Sequence, residues 1–420
     1  MIRGLASSLT IGGLFFASTA HAAFTREPWI QDATKDSVTI AWEAGVAGGT
    51  QNLAWGAGQA LDQTAAGTLV SSKLYTATVT GLPPSSAFSY KVTSGADTSV
   101  QGGFLTAPAV AEPFRFGVTG DNRSDASGHA AVVAATIPFG PDFMLNTGDI
   151  VDGTAYTEFF SIEKELLRNT AIFPSPGNHD SPTLYQYGFN RPNWYSFRWG
   201  NAFFVSVNTD GDYSQGSTQR QWIESQLVAA KADTTIQWIF AYHHHPVYSS
   251  GEHGNTPSVI ADLNPLYLAN GVDMVFNGHD HNYERIENDG VVYVVAGGGG
   301  VSPRAMGSPV TGAVFSESTL HTVIVDIDGG VLNLKAYRPD GSLLDEREIV
   351  KGATSGEPGD PEDPTDPTDP TDPTDPSTST SDNMAGGCAC AIGATTPATL
   401  GGILPAALLL AGVVLARRKR

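Results

Sequence analysis

Across residues 24–108 apolar and polar positions alternate with the two-residue period of strands. Val38, Ile40 and Trp42 in SVTIAWEA show it most clearly, and the Thr-rich stretch from Leu74 to Leu82 repeats it. Gly-rich turns separate these runs, and helical spacing is absent. From Pro113 the pattern changes. Short apolar runs at 114–119, 143–146, 203–207, 236–242, 272–276 and 291–296 alternate with helical spacing at 130–137, 156–167, 219–231 and 259–268. That alternation predicts a layered α/β domain over 113–350, preceded by an all-β sandwich over 24–108. The closing runs 322–327 and 332–337, around Gly329-Gly330, predict a hairpin on the α/β sheet.

Both ends have a different grain. Arg3, the apolar run from Leu9 to Ala20 and the small-residue site Ala20-His21-Ala22 describe a secretory signal peptide over residues 1–22. At the other end Ala398 to Ala416 is 19 residues without a charge, followed by Arg417, Arg418, Lys419 and Arg420. That length suits a membrane-spanning helix with its basic end in the cytoplasm. Between body and anchor, over 351–383, Asp-Pro-Thr occurs four times and Asp-Pro-Ser once. Proline at every third residue and repelling aspartates predict an extended, disordered stalk. Both cysteines, Cys388 and Cys390, lie in the final segment, 384–420, so no disulfide forms in the body.

The chain has 420 residues, 41% of them apolar and 9% aromatic, which excludes a fully disordered protein. Its net charge is −20, and nine of its acids fall between Glu357 and Asp382. The remaining body is still acidic, a poor match for a nucleic-acid partner.

Chemistry concentrates where strands end. Thr119–Arg123 (TGDNR), Thr147–Asp152 (TGDIVD), Pro176–Asp180 (PGNHD), His243–Tyr248 (HHHPVY) and Asn277–His281 (NGHDH) each follow a strand-like run. Loops at the carboxyl ends of α/β strands converge on ligands. Seven of the ten histidines lie between His179 and His281. Imidazole, carboxylate and amide oxygen together suit zinc, manganese or iron, and the lack of cysteine ligands disfavours a structural zinc site.

In this order the motifs resemble those of the calcineurin-like metallophosphoesterases. Within that superfamily the leading sandwich and the run GHDHNYER (278–285) are similar to the purple acid phosphatases. The resemblance implies an αββα metallophosphoesterase domain behind a fibronectin type III-like sandwich. Around Leu82-Pro83-Pro84 the chain also resembles a fibronectin corner, with Phe88 where that fold has a bonded tyrosine.

By position, the resemblance implies that Asp149 bridges two metal ions. Asp121 and His281 would bind the first, and Asn178, His244 and His279 the second. His244 is selected from the triple-His run because it opens the His-x-Pro pattern, leaving His243 and His245 to point to the other face. His253 would help protonate the leaving group; His179 would contact the phosphate or the leaving oxygen, and Asn178 the substrate. Two departures stand out. Arg123 occupies a place where the superfamily often has a ligand histidine, and its guanidinium suits a phosphate oxygen or a surface ion pair. Asp152 replaces the tyrosine that colours purple acid phosphatases, which implies a colourless enzyme; it would orient His179 or ligate the first metal.

The implied activity is hydrolysis of phosphate monoesters, acid phosphatase-like, by hydroxide held on a pair of iron, manganese or zinc ions. A phosphodiesterase or nucleotidase on the same metals is the alternative. A surface adhesion module on an inactive fold is another, of a different class. Gly386-Gly387-Cys388, the apolar helix and the basic end resemble the MYXO-CTERM sorting tails of myxobacteria and their relatives. That resemblance implies export and attachment to a Gram-negative cell surface, through the helix or a processed Cys388.

Overall fold

A computed structural model describes residues 24–153 and 156–352. The segments expected to form a signal peptide, nearly all of the stalk, the Cys motif and the membrane-spanning helix lie outside the described residues. Among those described, no helix is long and apolar enough to cross a membrane.

Phenylalanines explain why two sheets face each other. Phe116 and Phe143, from strands Phe114–Thr119 and Phe143–Asn146, meet Phe204, Phe240 and Phe276 of the opposing sheet, with ring centroids 5.3–6.0 Å apart. All five are fully buried. Burying an aromatic side chain contributes roughly 2–3 kcal/mol, so this layer is a large share of the driving force. Helices Ala126–Thr136 and Tyr156–Leu167 cover the first sheet through Val133, Met144 and Leu166. Helix Thr218–Ala232, with the pair Pro257–Asp262 and Asn264–Asn270, covers the second through Ile223, Leu227 and Tyr267. The layers are therefore αββα.

The second sheet has seven strands, four of them parallel in the order Ala202–Ser206, Trp238–His243, Met274–Asn277, Val291–Ala296. The expected helix over 259–268 is two short helices. Pro265, with no N–H to give, sits at the start of the second one. Helix Pro182–Phe189 is an element the apolar pattern did not signal. The closing hairpin, Thr322–Asp328 and Val331–Tyr337, takes a third strand, Leu343–Val350.

The first sheet has ten strands and crosses from one half of the chain to the other. Strand Phe24–Gln31 pairs in parallel with Ala171–Pro174, Ile30 beside Ala171, so four amino-terminal strands extend the α/β sheet. Strands Gln51–Ala57 and Ala87–Ser94 form the other layer of the amino-terminal sandwich. Trp29, 1% exposed, packs against Phe160 at 4.2 Å and shares a cluster with Ile150 and Val151 of the Gly-Asp loop. At the corner Phe88 stacks on Phe104, while the buried Tyr90 hydroxyl donates to the Arg168 carbonyl at 3.1 Å. The tyrosine bond is thus made two residues later, to the α/β part.

His321 is buried beside Tyr283, and burial lowers its affinity for a proton to a pKa of about 4. An unfolded histidine titrates near about 6.5, so below that pH the unfolded chain takes up a proton that the folded chain refuses. This contribution is complete above about 6.5 and is lost as the pH falls toward about 4, reaching about 3 kcal/mol. Thermal unfolding of His321→Gln should therefore show a shallower acid decline over this window than the parent chain. An unchanged decline would exclude His321 as its source.

Candidate metal centre

The centre is built at the carboxyl ends of strands from both sheets. Asp121 follows Phe114–Thr119, Asp149 follows Phe143–Asn146, and Asn178 follows Ala171–Pro174. His244 follows Trp238–His243, and His279 and His281 follow Met274–Asn277. The turns are tight. Asp121, Asp149 and His279 take left-handed φ of 58°, 52° and 71°, a conformation costing roughly 1–3 kcal/mol at each non-glycine residue. A Cβ on Gly278 would stand 2.4 Å from Asp121 Oδ2, so only glycine lets that backbone come so close. The Gly297–Gly300 run is a tight loop against the same carboxylate, and the Gly299 N–H donates to the Gly120 carbonyl.

Asp121, Asp149 and His244 are at most 1% exposed, and one ligand atom from each lies within 4.8 Å of the others. Asp121 Oδ2 accepts from the His279 N–H at 2.9 Å. Its Oδ1 is buried with no hydrogen-bond partner, and His281 Nε2 stands 3.7 Å away. Asp149 Oδ1 accepts from the His179 N–H at 2.9 Å and lies 3.2 Å from His244 Nε2. Asn178 Oδ1 is 3.0 Å from His244 Nε2 and 3.1 Å from His279 Nδ1.

Carbonyls set the imidazoles. His244 Nδ1 lies 3.0 Å from Thr147 O and His281 Nδ1 lies 3.3 Å from Ser302 O, so each Nδ1–H donates outward and each Nε2 faces a carboxylate. An unpartnered buried carboxylate oxygen is costly, and a cation among these nitrogen and oxygen donors would satisfy it. The residues fit a metal site.

Electrostatics point the same way. Burial raises Asp121 well above the usual carboxylate range, against the pull of His244. Asp149 is held below that range because His244 and the His179 N–H outweigh burial. Burial alone would depress His244, yet Asp149 and Asp121 raise it to about 9. Burial and neighbouring His244 depress His279 to about 2.

Residues 114–283 match the calcineurin-like phosphoesterase family. This is a calcineurin-like metallophosphoesterase domain. An uncharacterised protein of Mycobacterium tuberculosis is 25% identical over 310 residues, covering 60% of this chain and 57% of the relative. Tartrate-resistant acid phosphatase type 5 of Rattus norvegicus is 38% identical over 89 residues, covering 21% of this chain and 26% of its own. The chain therefore spans little more than half the length of the first relative, and about a quarter of the second. Among solved structures, the purple acid phosphatase PPD1 from yellow lupin (Lupinus luteus) seeds has a TM-score of 0.69 at 20% identity. That likeness covers 77% of this chain and 74% of the lupin chain, and it shows a shared fold.

Around the metallophosphoesterase cluster the other expected residues take definite places. Arg123 is nearly buried; its Nε donates to Asp149 Oδ2 at 3.0 Å and its Nη1 to Asp152 at 3.4 Å. Of its two ion pairs, one is to the buried Asp149 and the other to the half-exposed Asp152. Asp152 Oδ1 lies 2.8 Å from His179 Nδ1, the contact that orients that ring. The His253 ring stacks on His279 at 4.1 Å.

His245 departs from the expected outward face, since its ring centroid is 4.4 Å from that of His279. Strand alternation ends at His243, the last strand residue, and the turn that follows brings His244 and His245 to one side. His243 points away, with Nδ1 near the His245 carbonyl and Asn277. His129 pairs with Glu163 between two helices, away from the cluster.

Three contributors escaped the sequence reading. Asp210 follows strand Ala202–Ser206; partial burial and Asp149 raise its carboxyl to about 6 against the pull of His244. Its position after a strand was the available signal. Arg304 touches His253 Nε2, and nothing local in its loop marks it. Asp180 accepts N–H bonds from Gly177 at 2.9 Å and from Ile150 and Val151 at 3.2 Å. It therefore ties the loop of Asp149 to the loop of Asn178. An asparagine there turns one acceptor into a donor facing backbone donors. Asp180→Asn should weaken metal binding roughly 10- to 100-fold in a calorimetric titration. Unchanged affinity would show that the loops hold their spacing without it.

Proposed function

We propose that this chain is a dimetal phosphoesterase acting on phosphate monoesters. The observation that carries the reading is the buried group of Asp121, Asp149 and His244, with Asn178 and His279 against His244, and His281 beside the unpartnered Oδ1 of Asp121. Asp149 lies centrally and is the candidate bridge; Asp121 and His281 would hold one ion, and Asn178, His244 and His279 the other. When bound, a pair of iron, manganese or zinc ions would neutralise phosphoryl oxygens and acidify the attacking water.

The protein groups around that centre divide the remaining work. Asp152 holds Nδ1 of His179, leaving Nε2 on the side of Asp149, where it can donate to a phosphoryl or leaving oxygen. His253, exposed and stacked on His279, is placed to give a proton to the departing alkoxide. Arg123 offers a guanidinium for a phosphoryl oxygen as Asp149 turns to metal. With Asp152 at the position of the chromophoric tyrosine, the metal-loaded protein is expected to be colourless.

Acid phosphatase is the activity named for the rat relative, which supports monoesters over diesters. The apolar runs at both ends of the sequence support an exported protein held at a cell surface. Reconstituted chain should bind two metal equivalents and hydrolyse p-nitrophenyl phosphate faster than bis(p-nitrophenyl) phosphate. Asp149→Ala should lose metal and turnover together. Full metal content and turnover in that variant would refute the assignment, and a faster diester rate would make the enzyme a phosphodiesterase.

A further inference from the structure

Among the described residues three arginines are each neutralised by both oxygens of one carboxylate. Arg115 meets both oxygens of Asp326 at 2.6 and 3.0 Å, and Arg285 both oxygens of Asp345 at 2.7 and 3.1 Å. Arg338 meets both oxygens of Glu317 at 2.8 and 2.5 Å. Arg304 is different. Its guanidinium touches Nε2 of His253, and among the described carboxylates it pairs with the exposed Glu252 alone, at 3.6 Å. At that distance Glu252 is an ion pair without a hydrogen bond. Among the described residues most of the five donors of Arg304 have no hydrogen-bond partner, and its side chain is 29% exposed.

Its place is equally specific. The Arg304 N–H donates to the His281 carbonyl at 3.0 Å, and Gly307 N–H donates to the Ser250 carbonyl. This segment is thereby fixed against the loops that carry His281 and His253. Arg123 occupies another part of the rim, against Asp149 and Asp152. Two guanidinium groups thus stand at separate places, one beside the carboxylates of the centre and one beside His253.

We propose that Arg304 is a specificity-determining residue that binds a second anionic group on the substrate, carried by the alcohol portion that His253 protonates. The preferred substrates are then phosphate monoesters of acidic alcohols, bearing a carboxylate or a further phosphate. Neutral alcohols would leave Arg304 unmatched. The inference rests on the dimetal phosphoesterase reading, because it places the leaving group beside His253.

Binding of non-hydrolysable analogues separates the two. Zinc-loaded full chain would be titrated calorimetrically, at constant ionic strength, with propylphosphonate, 3-phosphonopropanoate and propane-1,3-diphosphonate. A guanidinium–anion bond predicts that at least one ligand with a second anionic group binds about tenfold more tightly than propylphosphonate. The one favoured names the second group. Arg304→Ala should reduce that preference to within about twofold, Arg304→Lys should keep part of it, and Glu252→Gln should increase it. A parental preference below about twofold, or one that survives in Arg304→Ala, overturns the proposal. Selective binding without any ester hydrolysis would uphold the anion site and remove the phosphoesterase reading. Failure to bind any of the three would overturn both.

Discussion

Two carboxylates almost without solvent, Asp121 and Asp149, stand within reach of one buried imidazole, His244. Charges so placed are tolerated only if each is matched by a proton, a donor or a cation. Much of the surrounding architecture serves that requirement. Backbone N–H groups of His279 and His179 are turned inward to the carboxylates. Carbonyls of Thr147 and Ser302 hold the outer nitrogens of two histidines. The left-handed turns at Asp121, Asp149 and His279 are the conformational cost of aiming these groups from separate loops.

Rigidity comes from the layers beneath. Strands from two sheets deliver the loops, and a phenylalanine layer locks those sheets face to face. Asp180 joins two loops directly, while Trp29 joins the amino-terminal strand to the hydrophobic cluster under Ile150 and Val151. The amino-terminal sandwich is therefore no loose appendage. Its strand Phe24–Gln31 belongs to the same sheet as the strands that carry Asp121 and Asp149. Through residue Lys351 the described chain holds together as one unit.

The metallophosphoesterase motifs were legible because each places chemistry immediately after a strand, and strand ends are readable from apolar runs. Asp121, Asp149, Asn178, His244, His279 and His281 all come from such places, and the structure brings them together. Less legible were residues whose role depends on what folds against them. Strand alternation points His245 outward only if it continues past His243, where the strand ends. Asp180 looks like an ordinary loop acid until the three N–H groups it accepts are seen. Arg304 lies far along the chain from Arg123, and only folding puts both at one rim.

Local periodicity and motif order determined the α/β class, the strand-end loops and the identity of the principal donors. These are properties of short segments, set by side-chain alternation and by which residue types can bind a cation. Tertiary structure alone decided that the leading sandwich shares a sheet with the α/β half and that Tyr90, not Phe88, makes the corner bond. It also decided which face of the triple-His run meets Asp149. Those outcomes turn on pairing partners separated by tens to hundreds of residues, and no local pattern encodes which distant surface a strand or turn will meet.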